Sequence, residues 1–409
     1  MSEGALSHLR VLDLSRILAG PTAGQVLADL GADVVKVERP GSGDDTRQWG
    51  PPWLADRSGA PTGESAYFLS ANRGKRSVAI DFARPEGRRL VRELASRADV
   101  LLENFKVGGL AKYGLDHAAL AALNPRLIHC SITGFGETGP YAGRPGYDFL
   151  IQGMGGLMSV TGEPDTAEGG GPQKAGVALA DVMSGLYATI AVLAALAARE
   201  RTGEGQHIDL ALLDVQVASL ANQAMNYLVS GEAPDRLGNA HPNIVPYQVF
   251  AASDGHFILA VGNDEQFRRL CTCLELPEVG DDPRFATNGG RVEHRDALVP
   301  LLQKVFEQQP KAAWLAALEA AGVPCGPINR IDEVFADPQV RARGMVAEAA
   351  HPLAGRVSLV GSPLKLSGTP TREPTAPPLL GEHTRAVLSQ WLGLEEAELA
   401  RLAGAGVVA

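Results

Sequence analysis

Through its first 140 residues the chain alternates two periodicities, and that alternation constrains the fold more than any other feature. Short apolar runs at Val11–Ser15, Ala32–Glu38, Ser77–Phe82, Asp99–Glu103 and Leu127–Thr133 read as strands. Between them Pro21–Leu30, Pro85–Arg97 and His117–Ala122 carry helical spacing. Strands alternating with helices predict a parallel sheet covered on its faces, an α/β domain. A long Ala-rich helix starts near Asp181 and feeds one more strand, His207–Leu212.

The pattern changes near residue 225. Tyr247–Ala251, the Asp254-Gly255 turn and His256–Val261 predict a β-hairpin. Helical spacing follows at Asp264–Leu274, Arg295–Gln308 and Lys311–Ala321, and residues 323–330 (VPCGPINR) read as a loop. Val357–Leu366 reads as a strand, 367–380 as an extended Pro/Thr-rich segment, and Thr384–Leu392 and Glu395–Leu402 as helices. At 409 residues two domains are expected. The division is a large domain begun by 1–224, a small α+β domain at 225–325, and a linker and return to the large domain at 326–409.

The net charge of −10 argues against a nucleic-acid partner, which needs a basic surface to meet phosphate. A small anion held by a few arginines remains open. Four cysteines make no disulfide framework, and Cys271-x-Cys273 lacks the neighbouring ligands of a metal site. No metal is expected. The N-terminus carries no apolar signal core, and Gly185–Ala198 is too short to span a bilayer. The expectation is a cytoplasmic protein with no membrane partner.

The first strand–helix–strand unit invites a dinucleotide reading, with Glu38 where an acidic residue would meet ribose. The turn, however, reads R-I-L-A-G-P-T-A-G and lacks the tight Gly-x-Gly that lets pyrophosphate approach the backbone. Arg39 ends a strand, where open α/β sheets place ligands, and a guanidinium there suits phosphate. It serves equally as a surface arginine. Asn72–Arg76 (NRGKR), with Arg16, Arg39 and Lys112, forms a possible anion site or a solvated basic loop. Asn104-Phe105 ends another strand, where amide and ring suit a base or an acyl chain, or simply the core.

Asp181 stands alone in an apolar stretch, directly after a run crowded with glycine. It suits the N-cap of its helix. The helix N-terminus would then keep it ionised, and a desolvated carboxylate can attack an activated acyl group. Gly169–Gly171 and Gly176 would let a bulky substrate come close.

At these residues the chain resembles the class III CoA-transferases, of the formyl-CoA transferase and carnitine-CoA-transferase type. The likeness rests on VLDLSRILAGPTAGQVLADLGADVVKVERPGSGD at 11–44, NRGKRSVAIDF at 72–82, LLENFKVGGLAKYGL at 101–115, SITGFGETGPYAGRPGYD at 131–148, ALADVMSGLYA at 178–188, TGEGQHIDLAL at 202–212 and PPLLGEHT at 377–384. The resemblance implies a Rossmann-like large domain with a small domain, in ring-shaped chains interlocked as a homodimer. It makes Asp181 the nucleophile that passes through an aspartyl anhydride and an aspartyl-CoA thioester. CoA thioesters are then substrates, and no prosthetic group is expected. By the same likeness CoA meets Arg16, Ile17, Leu18, Ala19 and Arg39, with Ile80, Asp81, Ala83, Asn104, Phe105, Lys106 and Lys112 along the adenosine and pantetheine path. Tyr147 and Asp148 fall near the thioester.

Leu18 stands where formyl-CoA transferases carry glutamine, which disfavours formate and oxalate. The chain reads nearest to succinyl-CoA:dicarboxylate CoA-transferases, with glutarate, itaconate or malate as acceptor. A distal carboxylate would want a cation, and His241, Arg291 and Arg295 are candidates. Two rivals remain: an α-methylacyl-CoA racemase, although Tyr147 holds that enzyme's histidine position, and a non-catalytic CoA- or nucleotide-binding protein.

Overall fold

The computed structural model describes residues 4–409. In chain order the first strands are β1 (Arg10–Asp13), β2 (Asp33–Glu38), the short pair β3 (Trp53–Ala55) and β4 (Pro61–Ser65), β5 (Arg76–Ala79), β6 (Val100–Glu103), β7 (Ile128–Thr133) and β8 (His207–Ala211). Six of them form one parallel sheet in the order β5-β2-β1-β6-β7-β8. Alternate residues leave a strand on opposite faces, and here both faces are buried. Leu12, Val35, Val78 and Leu101 enter one core with Leu90, Val387, Trp391 and Leu402. Val11, Val34, Val100 and Ile128 enter the other, with Ala23, Leu27, Ala188 and Val192.

That second core is closed by two helices, Ala19–Asp29 and Leu179–Thr202. They cross closely because Gly185 has no side chain: a Cβ there would come within 2.6 Å of the Ala19 carbonyl oxygen. Among the described residues Leu179–Thr202 is the one helix long and apolar enough to cross a bilayer. The sequence reading finds no such span because it counts only Gly185–Ala198, and the helix continues at both ends. Arg199 in its last turn is buried and pairs with Asp99 at 3.0 Å, the behaviour of a core helix.

The chain divides into two compact units. The first holds the residues up to Leu157, Ala175–Ala224 and Pro338–Ala409; the second holds Met158–Lys174 and Met225–Asp337. Two segments therefore differ from the sequence division. Met158–Lys174 joins the second unit through backbone bonds such as Gly238 N to Gly162 O at 3.1 Å. Residues 326–337 stay with it because 323–330 is not all loop.

The second unit carries β9 (Tyr247–Ala252) and β10 (Gly255–Ala260), the expected hairpin. A third strand, β11 (Cys325–Pro327), pairs antiparallel with β10. Only three residues long and bracketed by Pro324 and Pro327, β11 gives no strand signal, yet an edge position tolerates proline. Phe306 packs Phe250, Phe257 and Trp314 at ring separations of 5.0–5.3 Å. In the returning segment β12 (Val346–His351) and β13 (Gly355–Val360) form a hairpin, so the strand expected at Val357–Leu366 ends earlier.

Candidate active site

The order β5-β2-β1-β6 reverses direction at β1, and a parallel sheet opens a crevice at the carboxyl ends of its strands at such a point. Here it is a cleft of about 1060 Å³. It is lined by Arg16–Ala19 after β1, Arg39 after β2, and Ile80–Ala83 after β5. Asn104–Lys106 and Lys112 follow β6, Thr133 and Gly134 end β7, and Arg144–Tyr147 and Asp181 complete the lining. Of the nucleophile and the CoA contacts that the family resemblance implies, all but Asp148 lie on this lining.

The turn after β1 is held from below by buried charges. Asp13 accepts from Ser15 N at 2.9 Å and from Lys75 Nζ at 2.9 Å. Lys36 donates to Ser15 O at 2.7 Å and pairs with Asp44 at 2.9 Å. Burial alone would raise the Asp44 carboxyl, but the Lys36 ammonium and the Thr46 N–H outweigh it and hold the group at about 2. The ionised Asp44 in turn accepts from Ile17 N at 3.2 Å.

Ile17 has φ 72°, a left-handed conformation that a β-branched residue rarely adopts. Such strain costs on the order of 1–3 kcal/mol and persists only where neighbours fix it. Asn104 supplies that restraint. Its Oδ1 accepts from Arg16 N at 2.9 Å and its Nδ2 donates to Arg16 O at 2.7 Å. The amide expected to meet a base is thus spent on clamping the β1 turn.

The basic segment Asn72–Arg76 does not reach the cleft. Arg73 pairs with Asp29 at 2.5 Å, Arg76 with Asp33 at 2.5 Å, and Lys75 is fully buried on Asp13. Carboxylates inside the domain consume all three charges. Along the cleft Arg16 pairs with exposed Asp45 at 2.8 Å, while Arg39, Lys106 and Lys112 carry no ion pair among the described residues. Phe82 stands edge-on to Phe105 and Tyr113, at 5.9 and 5.3 Å, and makes an aromatic wall.

Asp181 lies in the first turn of Leu179–Thr202 but is not its cap. The cap comes from Asp148, whose Oδ1 accepts from Ala180 N at 2.9 Å and Asp181 N at 3.4 Å. Gln152 Nε2 donates to the other Asp148 oxygen at 2.8 Å, and its Oε1 accepts from Ala175 N at 2.9 Å. This explains why Asp148 is absent from the lining: its carboxylate faces the helix start. Asp181 itself is 9% exposed, and its carboxylate takes no hydrogen bond among the described residues. Burial first, and the Asp148 charge second, push it up to about 7. The expectation that the helix end keeps it fully ionised therefore fails. Of the glycines expected to admit substrate, Gly169–Gly171 belong to the second unit, and neither they nor Gly176 line the cleft.

Two glycine backbones cross beside this helix start. A Cβ on Gly134 would come within 2.4 Å of Gly146 Cα, and one on Gly146 within 2.3 Å of Gly134 Cα. This contact fixes the path of the loop that carries Arg144, a lining residue the sequence reading does not single out. The Arg144 guanidinium lies 4.7 Å from the Tyr141 ring centre and 5.4 Å from that of Phe135, with no ion pair among the described residues. A strand-to-helix loop rich in Gly and Pro was its only signal.

The cations expected to meet a distal carboxylate are engaged within the second unit. Arg291 is fully buried and donates to Val245 O, Phe285 O and Asp264. Arg295 donates to the carbonyls of His241 and Pro242, and His241 Nδ1 accepts from Asn243 N at 3.0 Å. Among the described residues no group of His, Cys, Asp and Glu is arranged to hold a metal ion.

Comparison with known proteins joins this geometry to one family. The CoA-transferase family III signature matches residues 6–384. The succinate–glutarate CoA-transferase of Agrobacterium fabrum is 54% identical over 385 residues, covering 94% of this chain and 95% of its own. The succinyl-CoA:glutarate CoA-transferase of Mus musculus is 44% identical over 403 residues, covering 98% and 90%. The crystal structure of a CAIB/BAIF family protein from Brucella suis matches with a TM-score of 0.83 at 53% identity, covering 96% of this chain and all of that one. With a signature spanning most of its length and relatives alike from end to end, the chain belongs to CoA-transferase family III and is an enzyme of that class.

Proposed function

We propose that this enzyme moves CoA from succinyl-CoA to a C4–C6 dicarboxylate, glutarate before itaconate or malate, with Asp181 as nucleophile. The observation that carries the reading is a buried, unpartnered carboxylate on the wall of a cleft whose other lining residues include unpaired cations. The relatives named for succinate and glutarate support the choice of acids. The phosphates of CoA would fall to Arg16, Arg39, Lys106 and Lys112, and the adenine to the wall of Phe82, Phe105 and Tyr113. Ile17, Leu18 and Ala19 would follow the pantetheine arm, and Ile80, Asp81 and Ala83 the nucleotide.

In this mechanism an Asp181 oxygen attacks the donor thioester carbonyl. The C–S bond breaks, leaving CoA thiolate and a mixed anhydride. The thiolate attacks the aspartyl carbonyl, expels the donor carboxylate and leaves an aspartyl-CoA thioester. The acceptor carboxylate attacks that thioester and releases the thiolate again. The thiolate then takes the acceptor acyl group from the second anhydride and restores the Asp181 carboxylate. Electrons and protons balance without a redox partner.

The assembly we propose is an interlocked homodimer in a reducing cytoplasm. Supporting it, Leu186, Ile190 and Leu193 form an exposed apolar stripe along Leu179–Thr202, of the kind a second chain covers. The four cysteines are free.

Asp181→Asn tests the nucleophile, since an amide cannot form and release an anhydride. The variant should bind CoA as wild type does and lose transfer. Wild-type protein given acyl-CoA and then hydroxylamine should carry a hydroxamate at Asp181, found by peptide mass. Transfer above about one per cent of the wild-type rate, a barrier change under ~3 kcal/mol, would remove Asp181 from the role.

A further inference from the structure

The substrates assigned above each carry a second carboxylate, and the chemistry at Asp181 leaves it unreacted. In an extended five-carbon acid the two carboxyl carbons stand about 5–6 Å apart, four C–C bonds of ~1.52 Å. The free carboxylate therefore stays close to the nucleophile. It also enters a region already negative, where Asp148 raises Asp181 through its charge. A third carboxylate there needs a cation.

Arg144 is the cation on the segment bound to the nucleophile's own backbone. Asp148, four residues on, accepts from Asp181 N, and the Gly134–Gly146 crossing fixes the strand of loop between them. Arg144 lines the same cleft as Asp181, and its guanidinium lies against Tyr141 and Phe135. A guanidinium resting on rings keeps its planar fork of donors free for a carboxylate, and Arg144 is solvent-exposed, open to an incoming anion.

Resting on the CoA-transfer reading, we propose that Arg144 binds the distal carboxylate of the dicarboxylic acyl group and so determines specificity for diacids over monoacids. The remaining unpaired cations of the cleft, Arg39, Lys106 and Lys112, then serve the phosphates. The pairing is a charge-assisted, two-pronged hydrogen bond, and replacing the arginine removes it from one class of acid only.

The test compares glutarate with pentanoate, which has the same five carbons and no distal carboxylate, as acceptors for succinyl-CoA at a saturating donor level. Arg144→Ala should lower kcat/KM for glutarate relative to pentanoate by about 10- to 100-fold, the usual worth of a charged hydrogen bond. CoA affinity by calorimetry and the thermal midpoint should stay at wild-type values. Arg144→Lys should recover part of the preference. An unchanged glutarate-to-pentanoate ratio would overturn the proposal. So would an equal loss for both acids accompanied by weaker CoA binding, which would assign Arg144 to a phosphate. If the wild-type enzyme transfers CoA to neither acid from any donor, the CoA-transfer reading itself fails, and that result is distinct from the first two.

Discussion

Asp181 ties rate to pH in a way that can be worked through. Its carboxyl stands at about 7, raised by burial and then by the Asp148 charge. Only the ionised form attacks a thioester. Near that value about nine-tenths is ionised at pH 8, about half at pH 7 and about a tenth at pH 6. The acid limb of kcat/KM for succinyl-CoA and glutarate should therefore fall about tenfold from pH 8 to pH 6. Asp148→Asn removes one of the two causes. The amide oxygen still accepts from Ala180 N and Asp181 N, and Asn caps a helix about as well as Asp. The new Nδ2 group faces Gln152 Nε2, which loses that acceptor at a cost of about 1–3 kcal/mol. The fold should persist at lower stability, and the limb should move to lower pH. Initial rates across pH 5 to 9 at constant ionic strength, for both proteins, decide the matter. A flat profile between pH 5 and 8, or a limb that moves up in Asp148→Asn, would refute the assignment of cause.

The same group predicts a stability effect. Its folded pKa lies above the unfolded 3.8, so the native state holds the proton more tightly and stability falls as pH rises from about 4 to 7. Asp181→Asn should melt above wild type at pH 8, by less at pH 5, with a ceiling of about 4 kcal/mol at ~1.4 kcal/mol per tenfold change in proton affinity; a lower midpoint at pH 8 would contradict this. Arg39→Ala should weaken binding of CoA more than of dephospho-CoA, by roughly 1.5–3 kcal/mol if the guanidinium meets the 3′-phosphate, whereas equal weakening would move it to the diphosphate.

What could be read in advance follows from how local each signal is. The parallel sheet was legible because every strand pairs an apolar run with a helix within a few dozen residues. Asp181 stood out because a carboxylate interrupts an apolar helix. Its environment did not, because the cap comes from Asp148, 33 residues away in the chain. Asn104 looked like a ligand group at a strand end, and its clamp on Arg16 spans 88 residues. The cations at Arg73, Lys75 and Arg76 looked like an anion site because nothing local names their partners Asp29, Asp13 and Asp33. Arg291 misled for the same reason: a fully buried arginine and a ligand-binding arginine are written alike in a sequence. The strand β11 was hidden by its prolines, and only the ladder with β10 identifies it.

The crossing of Gly134 and Gly146 has a meaning for how such an enzyme changes hands. The loop from 144 to 148 is located by backbone touching backbone, with no room for even a methyl group on either side. Its course therefore depends little on which side chains it displays. Positions 141, 144 and 147 can be exchanged while Asp148 still caps the helix and Asp181 stays where it is. A scaffold with this division can acquire a new acid by substituting the display and keeping the frame. Redesign for an unfamiliar acyl group should begin at those three positions and leave both glycines alone.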